Sequence, residues 1–185
     1  MVGDLEYQAP ERLREALDAT VGAASGLRVL ELGCGTGLFG IQVRSRAASL
    51  TGIDLSPEMV ERARARGIYD ALEVAEITEF LNRNSDPNFD LIVACDTLIY
   101  FGDLTLALAP AAKRLKPGGY VAFTVEQDET GSYKLTDSGR YAHSSAHIRS
   151  AAEAAGLKPL QISSGLLRYE YGQEVKGLIT VLQRQ

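Results

Sequence analysis

The segment VLELGCGTGLFG, residues 29–40, constrains this chain more than any other stretch. Val29, Leu30 and Leu32 surround an acid, Glu31, and run straight into glycine at every second position: Gly33, Gly35 and Gly37. Glycine brings no Cβ and tolerates backbone dihedrals that other residues avoid, so a strand that ends in bare backbone lets something else come close. A small ligand is the first candidate.

The rest of the chain repeats one unit, a short branched run followed by a helical pattern. Strands are predicted at 27–32, 50–54, 89–94 and 119–126, with a weaker one at 71–75. Helices are predicted from Pro10 through Val21, at 38–48, at 57–66 with Ser56 as cap and Gly67 as stop, at 77–82, at 104–115 and at 144–155 with Gly156 as stop. Strand alternating with helix is the pattern of a parallel sheet with right-handed crossovers. Residues 157–163 and 175–182 read as closing strands, and the joint over 164–174 is too short for a helical crossover, so the last strand pairs antiparallel.

The expected architecture is α/β: a Rossmann-like, seven-stranded, mostly parallel sheet with an antiparallel last strand and helices on both faces. A single domain spans 1–185. It comprises an N-terminal helical segment (1–24), a ligand-binding core (27–126), a polar lid or substrate loop (127–143), and a closing helix and strand hairpin (144–185).

Composition narrows the function classes. The 185 residues carry a formal charge of −5, which repels polyanions and leaves nucleic-acid binding in need of a local basic patch. Arg62, Arg64 and Arg66 alternate with alanines on a helix, which reads as a solvated face. Two cysteines far apart, Cys34 and Cys95, form no disulfide framework and suit a reducing compartment. Only two histidines join them, which is thin for zinc, and no metal is expected. The N-terminus lacks an apolar signal region and no run reaches membrane-spanning length, so a cytoplasmic location is expected.

In an open parallel sheet, ligands bind beyond the carboxyl ends of the strands where the winding reverses. A dinucleotide or another nucleoside fits such a place. The dinucleotide fingerprint needs a third glycine three residues beyond Gly35, and position 38 is leucine. Glu31, just before the loop, suits an ammonium better than a pyrophosphate. Asp54 closes the second strand about 20 residues on, where a carboxylate can accept both hydroxyls of a ribose.

The stretches VLELGCGTG, GIDLSPEM, FDLIVACDTLIYF and LKPGGYVAFTVE, in that order, resemble the class I S-adenosylmethionine-dependent methyltransferases. YQAPERL, YDALEVAEITEFL and GRYAHS further resemble the predicted methyltransferases often fused to tetratricopeptide repeats, so the chain is expected to be a lone catalytic domain or a fragment. The resemblance implies S-adenosylmethionine as cofactor. It places the methionine part on Glu31, Gly33, Cys34, Gly35, Thr36 and Gly37, the ribose on Asp54, and the adenine face on Leu55 and Met59. Glu76 and Ile77 fall at the adenine edge, where the family commonly has Asp in place of Glu76. Cys95 and Asp96 fall near the methyl.

A sulfonium methyl is already activated, so the protein must align a nucleophile and exclude water. The sulfur loses its charge in the transfer, so a carboxylate set against it would favour the reactant over the transition state. A hydroxyl or protonated amine acceptor also needs a base, for which His143, Tyr141, Tyr100 and Asp96 are the candidates. Arg140 and Arg168 are read either as partners of an acidic acceptor or as salt bridges to Glu170 or Glu174. His147 falls inside a helix and reads as structural. The acceptor is expected to be a small molecule or a protein side chain. Two other readings stand beside this one: an NAD(P)-dependent oxidoreductase, and a catalytically silent S-adenosylmethionine-binding module.

Overall fold

The computed structural model describes residues 6–84 and 86–185, so the first five residues of the expected N-terminal segment lie outside the described residues. Five strands form the parallel part of the sheet: β1 (Leu27–Leu32), β2 (Ala47–Asp54), β3 (Ala71–Val74), β4 (Phe89–Ala94) and β5 (Leu115–Gln127), in spatial order β3-β2-β1-β4-β5. The winding reverses between β1 and β4, which opens a crevice at their carboxyl ends.

The strands alternate between two apolar layers, as the period of two requires. Leu30, Ile92 and Phe123 face one layer with Leu81 of α4 (Ile77–Asn82), Leu108 of α5 (Thr105–Arg114) and Ile148 of α6 (Ser145–Ala154). Val29, Leu91, Val93 and Ala122 face the other, with Leu13 and Leu17 of α1 (Ala9–Thr20) and Phe39 of α2 (Leu38–Val43). Leu13 and Leu17 are fully buried. Each such burial stabilises by about 1.5–3 kcal/mol, which makes α1 part of the fold rather than an appended arm. The remaining helix, α3 (Pro57–Ala65), starts at Ser56, whose hydroxyl accepts from the Met59 N–H.

Among the described residues the sheet holds nine strands, two more than expected. The segment expected as a loop carries a small hairpin, β6 (Tyr133–Leu135) with β7 (Tyr141–His143), and β7 pairs parallel with Glu126 and Gln127 at the tip of β5. It takes the edge that β4 vacates after pairing Ala94 with Phe123. The closing strands are also longer than expected. β8 (Leu157–Glu170) and β9 (Gln173–Arg184) meet at a two-residue turn, Tyr171 and Gly172, both with positive φ, so most of the expected joint is strand. β9 runs antiparallel to both β5 and β8, so β8 runs with β5.

The helix expected over 38–48 stops at Val43 and a 3-10 turn carries the chain to β2 at Ala47. Arg46 anchors that corner, with its guanidinium 2.5 Å from Asp18 and 3.1 Å from the Ala24 carbonyl. β5 begins at Leu115, before the KPGG turn, with a bulge between its pairings to Phe89 and Leu91 and positive φ at Gly118.

Candidate active site

At the carboxyl ends of β1, β2 and β4 lies a cavity of about 700 Å³. Small-molecule sites run roughly 300–1,000 Å³, so it has room for a ligand of nucleoside size or larger. It is lined by Glu31, Gly33, Cys34, Gly35, Thr36, Asp54, Leu55, Glu76, Ile77, Cys95, Asp96 and Tyr100 of the expected site residues. Tyr7, Pro10, Thr97 and Phe101 complete much of the wall. Among the described residues the lining contains four carboxylates, Glu31, Asp54, Glu76 and Asp96, and no Lys or Arg.

The glycine loop is shaped by close contacts. Gly33 has φ +63, and a Cβ there would stand 2.4 Å from the Thr97 side chain. The Gly35 N–H donates to Asp54 Oδ2 at 2.9 Å, and the Ser56 N–H donates to Asp54 Oδ1 at 2.9 Å. Each Asp54 oxygen accepts one backbone donor and keeps a second lone pair for a ligand. Asp54 thereby stitches the first loop to the second strand.

Glu31 is 2% exposed, and burial pushes its carboxyl up to about 8. The Tyr69 hydroxyl, donating to both of its oxygens, pulls in the opposite direction, and the charge of Asp54 adds to the rise. Burial, with Glu31 and Asp54 near, pushes the Cys34 thiol up to about 12, so it is a neutral filler rather than a nucleophile. Burial likewise raises the Cys95 thiol.

Glu76 is the N-cap of α4. Its Oε2 accepts from the Glu79 N–H at 2.8 Å and from the Thr78 hydroxyl at 2.5 Å. Burial opposes its charge, but these donors hold its carboxyl below the ordinary range. Leu55 and Tyr100 sit at the mouth, 70% and 68% exposed.

Four expected site residues do not line the cavity. Gly37 caps α2 in the left-handed region at φ +93, and Met59 lies in the first turn of α3. His143 is fully buried, with Nε2 2.7 Å from the Phe101 carbonyl and 3.1 Å from that of Gly102. Tyr141 packs edge-on to Tyr133 at 5.9 Å. Among the described residues none of 127–143 enters the lining, because the hairpin docks on the tip of β5 and on residues 101–102 instead. His147 accepts the Leu104 N–H at 3.1 Å and so caps α5.

Sequence reasoning counted Glu170 among the partners of Arg140 and Arg168, as the structure has it, but missed Tyr7, Tyr69 and the contacts of Arg168 with Asp96 and Glu126. The Gln8 N–H donates to the Leu167 carbonyl at 2.7 Å and the Tyr169 N–H to that of Glu6 at 3.0 Å, which straps residues 6–8 along β8. The strap puts Tyr7 against the cavity, 3.8 Å from Cys95 Sγ. Arg168 pairs with Asp96 at 3.0 Å, with Glu170 at 2.8 Å and with Glu126. Arg140 binds Glu126 at 2.8 Å and Glu170 at 2.6 Å. Both guanidiniums are therefore committed to carboxylates of the protein itself.

A family model described as a methyltransferase domain matches residues 5–162. The ubiquinone biosynthesis O-methyltransferase of Alkalilimnicola ehrlichii is 34% identical over 116 residues, 61% of this chain and 47% of that protein. The protein of the same name from Bordetella pertussis is 27% identical over 173 residues, 84% of this chain and 70% of that one. The chain thus spans just under half the length of the Alkalilimnicola relative.

Two solved structures share the fold. The magnesium protoporphyrin IX methyltransferase of Synechocystis PCC 6803, with S-adenosylmethionine bound, superposes with a TM-score of 0.72 at 18% identity, over 96% of this chain and 79% of that one. The [4+2]-cyclase SpnF superposes with a TM-score of 0.76 at 21% identity, over 96% and 81%. With the methyltransferase-domain model covering most of its length, the chain belongs to the class I S-adenosylmethionine-dependent methyltransferase family.

Proposed function

We propose that this domain moves a methyl group from S-adenosylmethionine to an oxygen of a small molecule. The carrying observation is the charge of the cavity: four carboxylates line it, and among the described residues no lysine or arginine does. A pyrophosphate would find no cation on that wall to pair with, whereas an ammonium can draw the proton off Glu31 and pair with its carboxylate. This weighs against the nicotinamide reading.

The residues divide the cofactor between them. Glu31, with the loop of Gly33, Cys34, Gly35 and Thr36, takes the methionine end, and Asp54 takes the ribose with its free lone pairs. Leu55 and Ile77 cover the adenine, and the Oε1 of Glu76, which its capping bonds leave free, faces the adenine edge. Cys95 and Asp96 stand at the methyl end. When bound, the cofactor supplies an activated methyl on a positively charged sulfur, and the protein's task is to align an acceptor and keep water out.

Oxygen is favoured because the curated relatives are O-methyltransferases by name. A silent binding module is disfavoured, since it has no use for the buried ionic network that holds Asp96. No helix of the described residues is long and apolar enough to cross a membrane, and together with the acidic charge and free cysteines this supports a cytoplasmic site of action. Calorimetric titration with S-adenosylmethionine tests the reading. Saturable heat is expected, and folded protein that gives none at millimolar ligand refutes it.

A further inference from the structure

The methyl end of the cavity is backed by five charged side chains from four parts of the chain: Asp96 after β4, Glu126 on β5, Arg140 before β7, and Arg168 and Glu170 on β8. Arg168 spends all three guanidinium nitrogens on three different carboxylates, Nη1 on Asp96, Nη2 on Glu126 and Nε on Glu170. Asp96, Glu126 and Arg168 have side chains only 10–12% exposed. Three carboxylates against two guanidiniums leave the network one negative charge in excess.

Asp96 is also held in an unusual backbone conformation, φ +51, one of two non-glycine residues with positive φ among those described. Its N–H donates to the Thr124 hydroxyl at 2.8 Å, and that hydroxyl stands 3.0 Å from Asp96 Oδ1. Strain of this kind persists where surrounding contacts over-determine it, and it gathers at functional sites. Arg168 and Thr124 each take one lone pair of the carboxylate, and each oxygen keeps another.

The other titratable groups at this end do not serve as a base. Burial raises the phenol of Tyr7 and the thiol of Cys95, so both stay protonated. Tyr100 stands at the rim, and His143 is sealed behind residues 101–102. The groups facing Asp96 are Arg168, Thr124, the Tyr7 phenol, Glu126 and Cys95.

We propose that Asp96 is the proton acceptor of the transfer and Arg168 its positioning residue, the pair serving an acceptor that arrives uncharged with an O–H bond. This rests on the cofactor reading above. In the step, an oxygen lone pair forms the C–O bond and the S–C bond pair goes to sulfur. Asp96 receives the O–H proton, which later passes to water. Before transfer the excess charge of the network is balanced by the sulfonium. After transfer both have vanished together, since the sulfur is neutral and Asp96 is protonated. A neutral hydroxyl thus keeps this buried region uncharged at both ends of the reaction, whereas a protonated amine leaves it positive at the start. The direction of the Asp96 titration agrees, since burial raises its carboxyl even against the pull of Arg168.

The test needs no acceptor. S-adenosylmethionine and S-adenosylhomocysteine differ at this place by the charge on sulfur, so Asp96 is ionised beside the first and gains a proton beside the second. Titration of the intact protein with each ligand at pH 6, in buffers of different ionisation enthalpy, counts protons. The homocysteine ligand is expected to take up more protons per site than the methionine ligand. Asp96→Asn, which keeps the size of the side chain, abolishes the difference. Arg168→Lys retains it, and Glu126→Gln, which removes the excess charge without touching the cavity, shrinks it. Equal proton counts in the unaltered protein, or a difference that survives Asp96→Asn, overturn the proposal while the cofactor reading stands. Failure of both ligands to bind overturns both.

Discussion

The Tyr69 hydroxyl donates to both carboxylate oxygens of Glu31, 3.2 Å from each, across a separation of 38 residues. The ring fits only because positions 40 and 52 lack side chains: a Cβ at Gly40 would stand 2.3 Å from that hydroxyl, and one at Gly52 would stand 2.8 Å from the ring. Burial pushes Glu31 up to about 8, so in the free protein it is protonated at neutral pH. An ammonium at the methionine end draws that proton off. Binding of S-adenosylmethionine at pH 7 is expected to release close to one proton, with affinity rising up to about pH 8 and then levelling. Calorimetry in two buffers at pH 7 reads the release directly, and a count of zero removes Glu31 from the ammonium.

Asp54 joins two backbone donors before any ligand arrives, at 2.9 Å each. Asp54→Ala strands both N–H groups and removes the ribose acceptor, so cofactor affinity should fall at least tenfold, about 1.4 kcal/mol or more. Asp54→Asn keeps the size but turns an amide N–H₂ toward one of the donors, and it should bind no better than Asp54→Ala. Affinities within twofold of the unaltered protein would dismiss the ribose assignment.

What could be read from residue order is what is local. The glycine loop, the Ser56 cap and the acid closing β2 are each specified by neighbours within a few positions, and the structure brings Glu31, Gly33 and Asp54 to one cavity as their spacing implied. The β6–β7 hairpin was not legible, because its strands are only three residues long and rest on the backbone pairing of β6 to β7 and of β7 to β5. Nor was the role of Arg168, whose contact with Asp96 spans 72 residues and depends on how far β8 runs. Tyr7 escaped for the same reason, since its place follows from backbone bonds to residues 167 and 169. His143 could be read either as a base or as a locally packed residue ahead of α6, and its burial depends on the pairing of β7 with β5 and on residues 101–102, which lie far off in sequence.

Gly33 offers a test of the loop itself. Gly33→Ala meets two penalties, the positive φ and a methyl 2.4 Å from Thr97. The left-handed backbone alone costs roughly 1–2 kcal/mol. In a Thr97→Ala background the contacts with the Thr97 hydroxyl and methyl are gone, while a 2.9 Å approach to the Cβ of residue 97 and the backbone cost remain. Thermal unfolding should therefore show a larger penalty for Gly33→Ala in the native background than beside Thr97→Ala. Equal penalties would mean that Thr97 moves aside freely.

The buried histidines predict an acid limit to stability. Both partners of His143 Nε2 are carbonyl oxygens, so that nitrogen carries the proton, and Nδ1 is left without a partner. Protonation would place a charged N–H where nothing accepts it, beside the His147 ring stacked at 5.8 Å. His147 must also stay neutral, because its Nε2 accepts the Leu104 N–H. Burial lowers both histidines from their ordinary value of 6.5. Below that value the unfolded chain binds more protons than the folded one, so stability is full above about pH 6.5 and falls with further acidification. Each histidine kept neutral contributes a slope of about 1.4 kcal/mol per pH unit. Glu31 acts in the opposite sense over pH 4.5–8, but equally in any two proteins that share it. His143→Gln keeps a donor for the carbonyls and cannot titrate, so its stability between pH 6.5 and 5 should fall less steeply than that of the unaltered protein. Denaturant unfolding at half-unit pH steps measures both slopes. Parallel slopes would show that His143 takes its proton without cost and that the hairpin opens readily to admit it.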